Sequence, residues 1–156
     1  GADVPICLKG GTQYSISSGD MITAECAHNC VFLCIYPDFT LSTAEAYTKY
    51  DENPTVINPH YADFVSSIVC GSLSDGAKYI SNVFTEIYHD RRIDEIKNDI
   101  LSAGAISSEM TGSGSVVFGI FESAEKAGAA MDILSEKYHD VFTAYPVDCG
   151  VAVVER

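Results

Sequence analysis

"MTGSGSVVFGIFESAEKAGAAMDIL", residues Met110 to Leu134, is the stretch that decides the fold. Glycine and serine alternate from Gly112 to Ser115, and a strand is expected from Val116 to Glu122. Ser123 then stands at the N-cap of an amphipathic helix whose inner face carries Ala127, Ala130, Met131, Leu134 and Tyr138. On the other side of the glycines, Ile106 to Met110 reads as a strand. Before it, Ile93, Ile96, Ile100 and Leu101 recur at helical spacing, with Gly104 where a C-terminal cap belongs. Val141 to Val147 and Val151 to Val154 read as the last two strands. Helix, strand, turn, strand, helix, strand in that order predicts an α+β domain, an antiparallel sheet backed by helices.

The front of the chain reads mostly as strands. Val4 to Leu8 is a short apolar run closed by Lys9-Gly10-Gly11. Thr12 to Ile16 and Met21 to Cys26 alternate around a turn at Ser17-Ser18-Gly19-Asp20. Val31 to Tyr36 is nearly all apolar, as expected of a strand buried on both faces. Ser42 or Thr43 could cap a short helix through Glu45 to Tyr50, and Asn53-Pro54 and Asn58-Pro59 mark breaks. Phe64, Val65, Ile68 and Val69 share one helical face. Ile80, Val83, Phe84 and Ile87 predict one further helix over 78–88. The opening Gly1-Ala2-Asp3-Val4-Pro5 reads as the middle of something, with a terminus cut or processed.

The 156 residues suit one domain, or one plus a fragment, and 47% hydrophobic residues allow a sizeable core. With 22 acids against 9 bases the formal charge is −13. That balance argues against nucleic acid and anionic membranes as partners, because both need clustered Lys and Arg. It also means that a phosphate site would lean on backbone N–H groups, a metal or residues from elsewhere. No apolar run approaches the roughly 20 residues of a membrane span. Six cysteines in an ordinary composition do not make a disulfide scaffold, and a reducing cytoplasm is the expected location.

Several residues could carry chemistry. Gly112-Ser113-Gly114 is either a plain turn or a loop shaped around a phosphate; both need glycine's left-handed freedom. Cys26, Cys30 and Cys34, with His28 between, match no standard closed metal site, so no metal site is expected. His89-Asp90 and His139-Asp140 fall at helix ends and read as solvated termini. Ser123 and Lys126 match a nucleophile motif by letters only, and Ser123 is better used as a cap. Asp3, followed at once by Val4-Pro5-Ile6, is either a turn residue or a carboxylate held rigidly against an apolar wall to orient or deprotonate a hydroxyl.

Three segments together resemble one enzyme family: "GADVPICLKGGT" from Gly1, "YPDFTLSTAEAYTKYD" from Tyr36 and "MTGSGSVVFGIF" from Met110. In order and spacing they are similar to the C-terminal part of the 4-diphosphocytidyl-2-C-methyl-D-erythritol kinases. These belong to the superfamily of galactose, homoserine, mevalonate and phosphomevalonate kinases. The resemblance covers essentially the whole chain. It implies ATP-dependent phosphorylation of a hydroxyl on a cytidine diphosphate derivative, with Mg²⁺ carried on the nucleotide. Asp3 matches the family's catalytic aspartate. Tyr47 matches an aromatic that stacks on cytosine, Thr43 a substrate-contacting threonine, and Ser18 a position lining the cytidine pocket. "SSGD" around Ser18 departs from the usual Gly-x-Gly-Glu. Gly112, Ser113 and Gly114 match the motif that shapes the phosphate-transfer site. The ATP cradle itself belongs to a preceding half that nothing here matches. The resemblance therefore implies that 1–30 are trailing strands of an N-terminal kinase domain. It implies that 31–156 form a C-terminal domain with a ferredoxin-like core, and that the chain alone is inactive. The alternatives are another kinase of the superfamily, or a non-catalytic α+β binding module.

Overall fold

The computed structural model describes residues 4–16, 20–24, 30–52, 60–69 and 73–151. Its centre is a four-stranded antiparallel sheet of β3 (Val31–Tyr36), β4 (Ser107–Met110), β5 (Val117–Phe121) and β6 (Asp140–Ala144), in the order β4-β5-β3-β6. Helix α6 (Arg91–Ser102) connects β3's side of the sheet to the β4–β5 hairpin, and α7 (Ala124–Leu134) connects β5 to β6. This βαββαβ order with antiparallel neighbours is the ferredoxin-like arrangement. The α+β expectation holds.

Both crossover helices pack on one face of the sheet. Register sets which side chains they meet. Val31 lies opposite Phe121, Leu33 opposite Gly119 and Ile35 opposite Val117, so these residues share the helix-facing side. Val31, Leu33, Ile35, Val117 and Phe121 join Ile93, Ile96 and Ile100 of α6 and Ala127, Ala130 and Leu134 of α7 in the core. Gly119 is glycine because α6 comes close: a Cβ there would lie 2.2 Å from Ile100 Cγ2. The opposite face of β3 is half-buried at Phe32 and Cys34 and exposed at Tyr36. The strand is therefore fully buried on one face, not on both.

Local caps explain the helix limits. Ser123 Oγ accepts from Lys126 N at 3.2 Å to open α7. Asp90 opens α6 by accepting from Arg92 N at 2.9 Å. That helix ends in a Schellman motif: Gly104, at φ +99°, donates to Leu101 O while Ala105 donates to Ile100 O. Leu101 itself is 42% exposed, outside the apolar face its spacing implied.

Before and between these elements lie α1 (Val4–Lys9), a hairpin of β1 (Thr12–Ile16) and β2 (Asp20–Ala24), and helices α2 (Thr43–Glu52), α3 (Tyr61–Val69), α4 (Leu73–Ala77) and α5 (Val83–Tyr88). Three expectations need correction. Val4 to Leu8 is helical, not extended; the run is too short for periodicity to choose, and Pro5 is tolerated in a first turn whose N–H groups have no helical acceptor. Of the helix expected over 78–88 only α5 forms: α4 ends at Ala77, residues 78–82 are a turn and non-helical chain, and Asn82 is extended and caps α5. The strand from Val141 stops at Ala144, and Val151 lies outside any strand; residues 152–156 are outside the described residues. Among the described residues no helix is long and apolar enough to cross a membrane.

Candidate functional site

Two elements far apart in sequence meet at the glycine turn. The N-terminus of α2 lies against it: Thr43 Oγ1 and Ser113 Oγ are 2.8 Å apart. Thr43 is free to do this because Ser42 takes the cap, its Oγ accepting from Glu45 N at 3.3 Å. The helix-cap reading of Thr43 is thereby replaced by a contact across 70 residues.

The turn is held tightly. Thr111 N donates to Val116 O at 2.9 Å, and Gly114 N donates to Thr111 O at 3.1 Å. Gly112 and Gly114 adopt φ of +56° and +90°, the left-handed region. A Cβ on Gly114 would come within 2.6 Å of Met110 Sδ and 2.8 Å of Leu41 Cδ1. A Cβ on Gly112 would meet nothing within 4 Å. One glycine thus packs inward and the other borders open space. Ser115 Oγ donates to Phe39 O at 2.6 Å, a second tie from the turn to the segment before α2.

Tyr47 lies one turn along α2 from Thr43 and is 56% exposed, which excludes the core-aromatic reading. Its ring meets Phe84 of α5 edge-on at 5.1 Å between centroids, and Tyr50 meets the same ring at 6.4 Å. Phe84 thus backs two tyrosines whose outer surfaces face solvent. Asn82 donates through Nδ2 to Met110 O at 2.7 Å and Gly112 O at 2.8 Å, and accepts through Oδ1 from Phe84 N at 2.9 Å. Tyr88 OH donates to Ser42 O at 2.7 Å, and burial, with Glu45 nearby, pushes its hydroxyl up from the usual range.

Beneath the turn, Glu109 is buried on β4. Its carboxylate accepts from Thr85 Oγ1 at 2.7 Å, Lys97 Nζ at 2.8 Å and its neighbour Met110 N at 2.8 Å. Three donors satisfy a buried charge and join β4 to α5 and α6.

The residues expected to carry chemistry divide clearly. Thr43, Tyr47, Gly112, Ser113 and Gly114 form one neighbourhood. Asp3 and Ser18, like Cys26 and His28, lie outside the described residues. Burial pushes the Cys30 and Cys34 thiols up, so both stay protonated at neutral pH. His89 ends α5 in the left-handed conformation, and Asp90, read as a solvated helix end, instead starts α6 while Arg92 holds its carboxyl below the usual range. Asn82, Phe84 and Glu109 were missed. An Asn directly before Val83-Phe84 is an N-cap signal, hidden by reading 78–88 as one helix. Among the described residues no three His, Cys, Asp or Glu side chains converge to hold a metal ion, so they form no protein cage for Mg²⁺. An anionic group fits the turn better: Gly112 leaves its outer side open, and the bonded pair of hydroxyls on Thr43 and Ser113 keeps one O–H free to donate.

Residues 85–140, from α5 into β6, match the family described as GHMP kinases C terminal. That segment is a GHMP kinase C-terminal domain. The chain is 33% identical over 145 residues to 4-diphosphocytidyl-2-C-methyl-D-erythritol kinase of Clostridium botulinum (strain Langeland), which covers 91% of this chain and 52% of that protein. It is 35% identical over 149 residues to the enzyme of that name from Caldanaerobacter subterraneus subsp. tengcongensis, covering 94% and 49%. The chain thus spans about half the length of the curated relatives it matches. The GHMP fold is also seen in homoserine kinase from Cytophaga hutchinsonii, at TM-score 0.76 and 20% identity over 94% of this chain and 52% of that one. A crystal structure of 4-(cytidine 5'-diphospho)-2C-methyl-D-erythritol kinase superposes at TM-score 0.71 and 18% identity over 92% and 52%.

Proposed function

We propose that the chain is the C-terminal half of a 4-diphosphocytidyl-2-C-methyl-D-erythritol kinase of non-mevalonate isoprenoid synthesis. The observation that carries this reading is 33–35% identity, across more than nine-tenths of the chain, to curated relatives of that name. The pairing of Thr43 with Ser113 supports it by joining the substrate helix to the phosphate-site turn. Residues 1–30 then belong to the N-terminal kinase domain and 31–156 to the C-terminal domain. The ATP cradle lies in the preceding half, and the intact enzyme works in the cytoplasm.

In the intact enzyme a hydroxyl oxygen of the methylerythritol moiety attacks the γ-phosphorus of ATP. The bond to the β–γ bridging oxygen breaks, ADP leaves, and the hydroxyl proton passes to the Asp3 carboxylate. Phosphoryl transfer demands positioning and charge stabilisation above all, so one placed carboxylate suffices as base. Magnesium on the nucleotide neutralises phosphate charge. Tyr47, backed by Phe84, offers an exposed ring on which cytosine stacks. Thr43 and Ser113 present hydroxyls between base and phosphate, and Ser18 lines the cytidine pocket.

The test is ADP release by the complete polypeptide with the cytidine diphosphate alcohol, mevalonate or homoserine as acceptor. Turnover is expected with the cytidine compound alone, and not by the 156-residue chain by itself. Asp3→Asn should lower the rate by roughly 10²–10⁴-fold. Turnover of mevalonate or homoserine would move the chain to another kinase of the superfamily. No phosphorylation, with Asp3→Asn silent in every assay, would favour a binding module.

A further inference from the structure

We propose that Asn82 is a positioning residue that locks the phosphate-site turn to the aromatic shelf for the base. This rests on the kinase reading above. An N-cap needs one acceptor, and Ser, Thr or Asp would supply it as well as Asn. Asn82 meets that need with Oδ1, which accepts from Phe84 N at 2.9 Å. Its amide nitrogen does something no cap requires. Both of its N–H groups go to the glycine turn, one to Met110 O at 2.7 Å and one to Gly112 O at 2.8 Å. Those carbonyls flank Thr111, where β4 ends and the turn begins, so a single planar amide fixes the backbone on both sides of that residue.

The contacts close into a ring. The turn touches α2 through Ser113 and Thr43. One helical turn later Tyr47 leans on Phe84. Phe84 N–H is the group held by Asn82, and Asn82 returns to the turn. Each link is a directional hydrogen bond or an edge-on ring contact. A shift of the turn is therefore transmitted to α2 and to the ring beneath Tyr47. The device sets one register for two ends of a substrate, its base and its reacting hydroxyl. Among the twenty side chains, only a primary amide supplies two donors and an acceptor in this fork, and Gln would place the fork one methylene too far out.

The experiment compares Asn82→Ser, Asn82→Asp and Asn82→Ala in the complete polypeptide. Ser and Asp keep the cap and lose both donations; Ala loses everything. Asn82→Ser and Asn82→Asp should lower kcat by roughly 10- to 100-fold, the scale of a misplaced reacting group. KM for the cytidine substrate should change less than about 3-fold, because α5 stays capped. Asn82→Ala should raise KM as well. Amide hydrogen exchange at Thr111 and Gly114, whose N–H groups are bonded within the turn, should quicken in all three, a readout independent of turnover. If Asn82→Ser does not fold, Asn82→Asp, nearly the same shape, gives the same comparison. A kcat within 2-fold of the parent, or unchanged exchange at the turn, overturns the proposal. Quickened exchange in a polypeptide that phosphorylates nothing would instead leave the coupling standing and remove the kinase reading.

Discussion

Replacing Gly114 by alanine probes how the turn is built, and Gly112→Ala is its internal control. Both glycines lie in the left-handed region, at φ +90° and +56°. That conformation costs a residue with a Cβ roughly 1–2 kcal/mol, and the stiffer unfolded chain of an Ala variant offsets about 0.4–1 kcal/mol of it. Gly112→Ala meets nothing within 4 Å, so its net cost should be about 1 kcal/mol or less. Gly114→Ala bears the same backbone cost and a packing cost. Its methyl carbon would sit 2.6 Å from Met110 Sδ and 2.8 Å from Leu41 Cδ1, about 1 Å inside ordinary contact. Met110 is 1% exposed and has no open side to swing into. Overpacking of this kind costs roughly 1–3 kcal/mol, for a total near 3 kcal/mol. Urea unfolding of the two variants measures the difference. At an m-value near 2 kcal/mol/M, the expected gap of about 2 kcal/mol separates their midpoints by about 1 M. Leu41→Ala in the Gly114→Ala background should recover about 1 kcal/mol, a coupling expected only between touching residues. Equal midpoints for the two glycine variants, or strict additivity with Leu41→Ala, would refute the packing of the turn against Leu41 and Met110.

Tyr47→Ala should leave folding stability almost unchanged, since the ring is more than half exposed, while KM of the complete enzyme for the cytidine substrate rises about 5- to 150-fold; an unchanged KM would move the base elsewhere. Glu109→Gln should cost roughly 3 kcal/mol in urea unfolding, because Lys97 keeps its charge beside a neutral amide; a loss under 1 kcal/mol would show that the pair contributes little. The pH dependence should follow the junction of α6 and the end of α7. Hydrogen bonds from Lys137 and then Tyr138 hold the Asp99 carboxyl below the usual range, so its contribution is complete above about pH 4 and lost as pH falls through the lower folded value. Burial, and next the bond to Asp99, push the Tyr138 hydroxyl up to about 12; that contribution is complete below about pH 10 and lost as pH rises through 12. Asp99→Asn should flatten the acid limb of a stability–pH curve, and an unchanged acid limb would assign it to other carboxyls.

The chain's order of elements was legible because the decisive signals are local. Ser123 before an amphipathic run, Gly104 after one, and apolar strands on each side of a glycine turn depend on neighbours within four residues. They lead to an antiparallel sheet backed by helices, while its ferredoxin-like core was what the family resemblance implied. Where two local patterns compete, apolar spacing alone did not decide. Val4 to Leu8 is as apolar as a strand yet forms a helix, and the apolar positions from Ile80 to Ile87 ran through a break that the side chain of Asn82 enforces. Leu101 has helical spacing but faces water, since α6 meets β5 along the line of Ile93, Ile96 and Ile100, where Gly119 lets it approach. The site divides in the same way. Thr43, Tyr47 and the glycine turn were recognisable as segments, but whether Thr43 capped a helix or reached Ser113 depended on a contact 70 residues distant. Spacing along a chain encodes faces and caps, since those interactions lie within one or two turns. It does not encode which face of α2 meets which loop, because that pairing is settled only when the sheet brings them together.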